Sequence, residues 1–251
     1  MFPTIPTVGA GRVISNVQAD TTATRTSPNM ATLTRNAGDL LIFICVAYQT
    51  SVGTNAAFSG WTGGFTEFHD SATATTMAIG MAHKWSDGTE TGTVAVTQAG
   101  TITGHAAMFI ISIPAAHAST PPEAGGRASG TTSAADPTSL NPAGWDVEDT
   151  LWMAVSGSGE DALTGSYTGV AGAPANYSNY ADTGMSADAI GAVEAGIGFR
   201  QIAAASEDAG AVTIDVASAR NAAVLVAIRP IIALGDDPLT LLTRKAGRYG
   251  F

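Results

Sequence analysis

The chain predicts an all-β fold, a jelly-roll-like β-sandwich built from two related halves with extended terminal arms. Three observations point there. Apolar runs of about 4 to 9 residues recur along the chain, too short for most helices, each bounded by Gly, Asn, Asp or Pro. Charged residues make up only 13% while glycine fills 29 positions, a composition suited to short strands joined by tight turns. The third observation is a restatement, because the stretch Gly38–Pro114 returns as Glu148–Pro230, shifted by roughly 110 to 118 positions. Asp39–Ala47 is answered by Asp149–Val155, Gly64–Asp70 by Asn176–Asp182, and His105–Pro114 by Asn221–Pro230. Apolar runs and turns are repeated and no reactive side chain is, which points to scaffold.

Taken in order, residues 1–11 hold prolines and glycines without periodicity and read as an extended, unpacked arm. The first β half, residues 12–114, opens with a strand over Arg12–Ala19. Strands follow at Asp39–Gln49, Phe65–Ser71, Met77–Trp85, Thr91–Gln98 and His105–Pro114. Between two of them, Ser86-Asp87-Gly88-Thr89 carries the Asp-Gly pair of a tight hairpin, which makes Asp87 a turn residue. Leu40–Ala47 is apolar throughout, so both of its faces should be covered, and Cys45 within it reads as a small buried thiol. Trp61, Trp85, Trp145 and Trp152 lie beside or within such runs and read as core filler.

Residues 115–146 break the pattern. Ala115–Gly144 is Ala, Ser, Thr, Pro and Gly with Leu140 as its only large apolar side chain, a composition that cannot build a core and reads as a connecting loop. The second β half, residues 147–232, has strands near Thr150–Ser156, Tyr177–Asp182, Gly196–Ala204, Ala211–Val216 and Ala222–Ile232, while alanine-rich Ser186–Ala195 leaves a short helix open. Ser156-Gly157-Ser158-Gly159 reads as a serine-glycine turn. The tail, residues 233–251, changes character: Asp237 caps a short helix opened by Pro238 and closed by Arg244, Lys245 and Gly247. All 21 acidic residues lie before Leu239, whereas Arg244, Lys245 and Arg248 lie after it. An acidic body thus carries a basic, leucine-bearing tail suited to docking.

A net charge of −10 argues against nucleic acid as a partner, since phosphate binding needs clustered Lys and Arg. The apolar runs fall far below the ~20 residues that cross a bilayer as a helix, and the start lacks the basic and apolar segments of a secretory signal. The expectation is a chain made in a cytoplasm, with no membrane partner and no cofactor.

Chemistry is sparse. His69, His83, His105 and His117 lie too far apart in sequence for a metal motif and read as exposed or satisfied histidines. No Gly-x-Ser-x-Gly elbow accompanies His69-Asp70. The acid pairs Glu67 with Asp70, Glu160 with Asp161, and Glu207 with Asp208 have the residue types of a glycosidase but read as solvated. Asp236-Asp237 has at most a weak claim on a cation. No catalytic, cofactor-binding or metal-binding residue is assigned.

Gly38-Asp39-Leu40-Leu41, Ser59-Gly60-Trp61-Thr62 and Ala82–Glu90 together resemble a pattern of tailed-bacteriophage virion proteins: a "GDLL" strand, a "GWT" turn and an Asp-Gly-Thr-Glu hairpin. The resemblance covers Gly38–Pro114 well and the second copy in outline, where the hairpin becomes Ser206-Glu207-Asp208-Ala209-Gly210. It implies a jelly roll that decorates a head or builds a tail tip or fibre, located in the virion and assembled in the host cytoplasm. The implied partners are other virion proteins (a major capsid protein or tail proteins), with a homo-oligomeric state, and no catalytic residue carries over. On this expectation a non-enzymatic capsid decoration protein docks through Arg244, Lys245 and Arg248 on acidic groups and through Leu241, Leu242 and Phe251 in apolar pockets. The alternative is a tail-associated module whose Trp61, Tyr167, Tyr177 and Tyr180 stack on host glycans.

Overall fold

The computed structural model describes residues 1–18, 23–48, 57–71, 77–99, 104–160, 170–188, 191–214 and 220–231. The fold is all-β and antiparallel. The first half supplies β1 (Val13–Gln18), β2 (Thr24–Thr26), β3 (Leu40–Tyr48), β4 (Phe58–Ser59), β5 (Thr66–Asp70), β6 (Met77–Trp85), β7 (Ala95–Gln98) and β8 (Ala106–Ile113). There follow β9 (Glu123–Ala124), β10 (Ala128–Gly130), β11 (Ala134–Ala135), β12 (Glu148–Glu160), β13 (Val170–Gly172), β14 (Ser178–Asp188), β15 (Gly191–Ala204), β16 (Val212–Ile214) and β17 (Arg220–Ile228).

These strands form four layers. A five-stranded sheet, β1-β8-β3-β6-β5, faces a sheet ordered β10-β17-β12-β15-β14, with β9 also on β17. Leu40, Ile42, Ile44, Val46, Met81, Phe109 and Ile111 from one side meet Leu151, Met153, Val155, Ile197, Val224 and Val226 from the other in a single apolar core. The alternate residues of β3, namely Leu41, Phe43, Cys45 and Ala47, pack outward with Phe58, Val94 and Val96 under the three-stranded sheet β2-β7-β4. The second large sheet is covered in the same way by β11-β16-β13, whose Ala135, Val170, Val212 and Ile214 meet Ala192 and Ala223. The inner strands of both central sheets are therefore buried on both faces, which is why β3, β8 and β17 are apolar almost without alternation. Counted from β1 and from β10, the two sets of eight strands pair in the same order, and the stretches that match in sequence occupy corresponding strands: β3 and β12, β5 and β14, β8 and β17.

Several expectations are corrected. Asp87-Gly88 does not close a hairpin, because β6 pairs with β3 and β5 whereas β7 pairs with β2 and β4; the turn carries the chain from a central sheet to an outer one. Residues 115–146 are not a linker: they contribute β9, β10 and β11, and buried Leu140 exchanges backbone hydrogen bonds with Glu207. Composition misled there because edge and outer strands need only small side chains and borrowed hydrogen-bond partners. Ser156–Gly159 is no turn but the buried interior of β12, and of the stretch Ser186–Ala195, where the sequence leaves a short helix open, residues 186–188 fall in β14 and residues 191–195 in β15. The first 11 residues are not an unpacked arm. Pro3 and Pro6 are buried, the Thr4 amide donates to the Pro114 carbonyl at 2.9 Å, and Gln201 Nε2 donates to the Pro3 carbonyl at 2.7 Å. That segment ties the two halves together.

The glycines of β12 set the spacing of the central layers. A Cβ on Gly157 would lie 2.4 Å from Val46 Cγ1, and one on Gly159 would lie 2.5 Å from the Tyr48 ring and 2.8 Å from Met77 Cε. Only glycine lets β12 come this close to β3. On the outer side, Gly80 of β6 receives the Phe58 ring, 2.4 Å from where its Cβ would be.

Candidate functional site

Among the described residues several clusters of polar side chains stand out, and four built on carboxylates are structural clasps. In the "GDLL" stretch, Gly38 takes φ +88° and turns the chain into β3, leaving Asp39 buried at the strand's start. Asp39 Oδ2 accepts from Arg12 NH1 at 2.8 Å, Ser112 Oγ at 2.9 Å and the Asn36 amide at 2.9 Å. Each of these donors comes from a different segment.

Glu90, at the end of the Asp-Gly-Thr-Glu run, is buried as well. It accepts from Ser86 Oγ at 2.8 Å, the Asp87 amide at 2.9 Å and Arg35 Nε at 2.9 Å, with Lys84 Nζ at 3.3 Å. Arg35 in turn donates to the carbonyls of Met30 and Leu33, both at 2.8 Å, and to the Glu90 carbonyl. Burial alone would push the Glu90 carboxyl up, but the Asp87 amide, the Ser86 hydroxyl, its own backbone and Arg35 hold it down at about 2. A carboxylate so placed binds four partners and cannot act as a base near neutral pH. Asp87 caps the same turn, its Oδ1 accepting from the amide and hydroxyl of Thr89 at 2.7 Å each.

The second half has its own clasps. Glu207 is buried against Arg200 NH1 at 2.6 Å and Tyr177 OH at 3.4 Å. Burial and the Glu207 charge both raise the Tyr177 hydroxyl's pKa. Arg229 holds Glu148 through two hydrogen bonds, Nε to Oε2 at 2.8 Å, and lies 5.5 Å from the centre of the Trp145 ring. Of the acid pairs expected to be solvated, Glu67 and Asp208 are exposed, whereas Asp70 is half-buried and Glu207 is buried. Glu67 accepts from Trp61 Nε1 at 2.7 Å, and Asp70 Oδ2 from the Phe58 amide at 3.1 Å. Asp161 and Asp236-Asp237 lie outside the described residues.

A different arrangement occurs at the β5–β6 rim. His69 is paired with Met81, whose side chain belongs to the core between the large sheets, and His83 lies two residues beyond Met81 on the same strand, hence on the same face. Sequence reading expected exposed or satisfied histidines, but Nε2 of His69 and Nδ1 of His83 are buried without hydrogen-bond partners. Burial, then the charge of Arg127, lowers His69 to about 4; burial also lowers His83, against a hydrogen bond to the Thr66 backbone. Both imidazoles are neutral at pH 7, with no nucleophile bonded to either. His105 is fully buried, and His117 Nδ1 accepts from the amides of Ser119 and Thr120 at 3.3 and 3.0 Å. Cys45 is buried and its thiol is pushed up to about 12, first by burial, which makes it inert as a nucleophile. Among the described residues no three His, Cys, Asp or Glu side chains converge as a metal site.

The aromatic residues expected on one glycan-binding face are split. Trp61 is half-buried against Phe43, 5.1 Å between ring centres, on the outer side of the first large sheet. Tyr180, whose hydroxyl donates to the Val170 carbonyl at 2.7 Å, and Tyr177 pack on the outer side of the second. Two core-covering layers separate them. Tyr167 and the tail residues Leu241, Leu242, Arg244, Lys245, Arg248 and Phe251 lie outside the described residues. Sequence reading missed the Glu90 clasp, although the acid closing an Asp-Gly turn with Lys84 and Arg35 in reach of it was a usable signal.

The class that the fold defines is an all-β protein of stacked antiparallel sheets, consistent with a β-sandwich. No protein-family model, no curated protein and no solved structure matches the chain.

Proposed function

We propose that the chain is a non-enzymatic structural subunit of a tailed-bacteriophage particle, of the capsid decoration or cement kind. The strand order carries this reading. In each half, eight strands are ordered 1-8-3-6-5 in one sheet and 2-7-4 in another, an order that supports a jelly-roll reading, and we read the two halves as related copies of that unit. The state of the polar groups supports it, because Asp39, Glu90, Glu148 and Glu207 are each committed to a clasp and not to a cleft. Since residues 1–11 are spent on the chain's own halves, docking falls to the basic tail, with Leu241, Leu242, Arg244, Lys245, Arg248 and Phe251 as its contacts. Hundreds of copies per particle go with a head lattice, whereas a handful go with the tail fibre or tip, where glycan binding is the alternative role.

The test is to image purified particles with this protein located and to repeat the imaging after deleting Leu239–Phe251. We expect a folded body that no longer joins the particle. Unchanged incorporation overturns docking by the tail, and finding no particle-associated copies overturns the reading as a whole.

A further inference from the structure

We propose that the rim where β5 and β6 meet the 123–130 segment is an acid-sensitive latch between the two halves, closed while His69 and His83 are neutral and loosened when they take up protons, His69 doing so near Arg127. Three features of the geometry point to it. The two imidazoles sit diagonally on the same face of neighbouring strands, a spacing of about 7 to 8 Å between such positions in an antiparallel pair. Each keeps a buried ring nitrogen without a hydrogen-bond partner, so no acceptor waits for the proton that either would gain. The third feature is the cation opposite: Arg127 reaches across from the second half and donates to the Met77 carbonyl at 2.6 Å, at the start of β6. The neighbouring strand β9 lies against the edge of β5.

Among the described residues, several other charged groups near the rim are engaged elsewhere. On β5, Glu67 accepts from Trp61 and Asp70 from the Phe58 amide. Lys84 of β6 is bound to Glu90. Glu123 of β9 accepts from the Ala143 amide at 3.0 Å, and Arg229, just past β17, is held by Glu148. Arg220 begins β17 at its far end and is exposed. None of these carboxylates accepts a hydrogen bond from either imidazole. Protonation would place one imidazolium, at His69, near the Arg127 guanidinium and a second, at His83, between the Phe68 and Trp85 rings, both in a low-dielectric rim, and release of the 123–130 segment lets water solvate them. Opening exposes Phe68, Trp85 and Ala124, which now lie against the central core. The lowered proton affinity of both histidines is in keeping with this.

Hydrogen exchange of the full chain, read by mass spectrometry and corrected for intrinsic rates, tests the latch at pH 7 and at about pH 4.5. We expect protection at 66–70 and 123–130 to fall about ten-fold or more in acid, while β12 and β15 change less than about two-fold. In His69→Gln, and separately in Arg127→Met, the acid-dependent loss at 123–130 should shrink to less than about three-fold. An equal acid response in both variants overturns the proposal. So does an absent response in the unmodified chain, or one spread evenly over all strands.

Discussion

Glu90 illustrates how a residue of a turn motif becomes a structural anchor. Its neighbours Asp87 and Gly88 shape the turn, with Gly88 at φ +85°, but the carboxylate itself gathers Ser86, Lys84 and Arg35, and through Arg35 the carbonyls of Met30 and Leu33. The second half solves the same problem with different residues, since Glu207 in the turn after β15 is buried against Arg200 of that strand. Glu90→Gln keeps the shape and removes the charge that these donors require. We expect it to cost on the order of 3 kcal/mol at pH 7, measured by urea unfolding. The pH dependence has a definite sign. The folded carboxyl lies near 2 against an ordinary value of 4.5, so its contribution is complete above about pH 4.5 and is lost as the pH falls toward 2. The difference between wild type and Glu90→Gln should narrow over that window. A constant difference would mean that the charge is not the reason for the clasp.

At the scale of the element, β12 depends on residues that look unsuited to a strand. Gly157 and Gly159 weaken β propensity and expose nothing of their own, yet they admit Val46, Tyr48 and Met77 from the facing sheet. Gly159→Val places atoms inside the Tyr48 ring's volume. We expect a loss of about 2 to 3 kcal/mol, whereas Gly172→Ala, where a Cβ meets nothing within 4 Å, stays within about 0.5 kcal/mol. A Gly159→Val protein as stable as the parent would show that the layers can move apart freely. The same glycines explain why this strand was read too short: Ser156–Gly159 has turn composition, and only the opposing surface makes it a strand. Where a run is apolar on both faces, as in β3 and β8, the sequence is enough to locate the strand within a residue or two.

At the scale of the molecule, the two halves are continuous through their shared core. Leu40, Ile42, Ile44, Val46 and Phe109 share one core with the inner face of the second large sheet, and the N-terminal segment is bonded to both halves. The chain should therefore unfold in one cooperative transition. Residues 1–117 produced alone should bind a hydrophobic dye and show no sharp melting, and co-production with residues 118–251 should restore it. A sharp transition for either piece by itself would mean that each half closes its own core.

The sequence by itself determined the all-β class, the central strands, the buried Cys45 and the matching stretches of the two halves. These follow from short-range patterns, an apolar run and the turn residues that bound it, which act wherever the chain goes. Only the tertiary structure decided which strands pair, that β6 and β7 belong to different sheets, and that small polar stretches such as 123–135 complete sheets begun elsewhere. It also decided that His69 and His83 lie on one face of the β5–β6 pair, with Arg127 near His69. Each of these depends on partners tens of residues away, and pairing at that range is set by which faces can be covered, a quantity that no local run of residues carries.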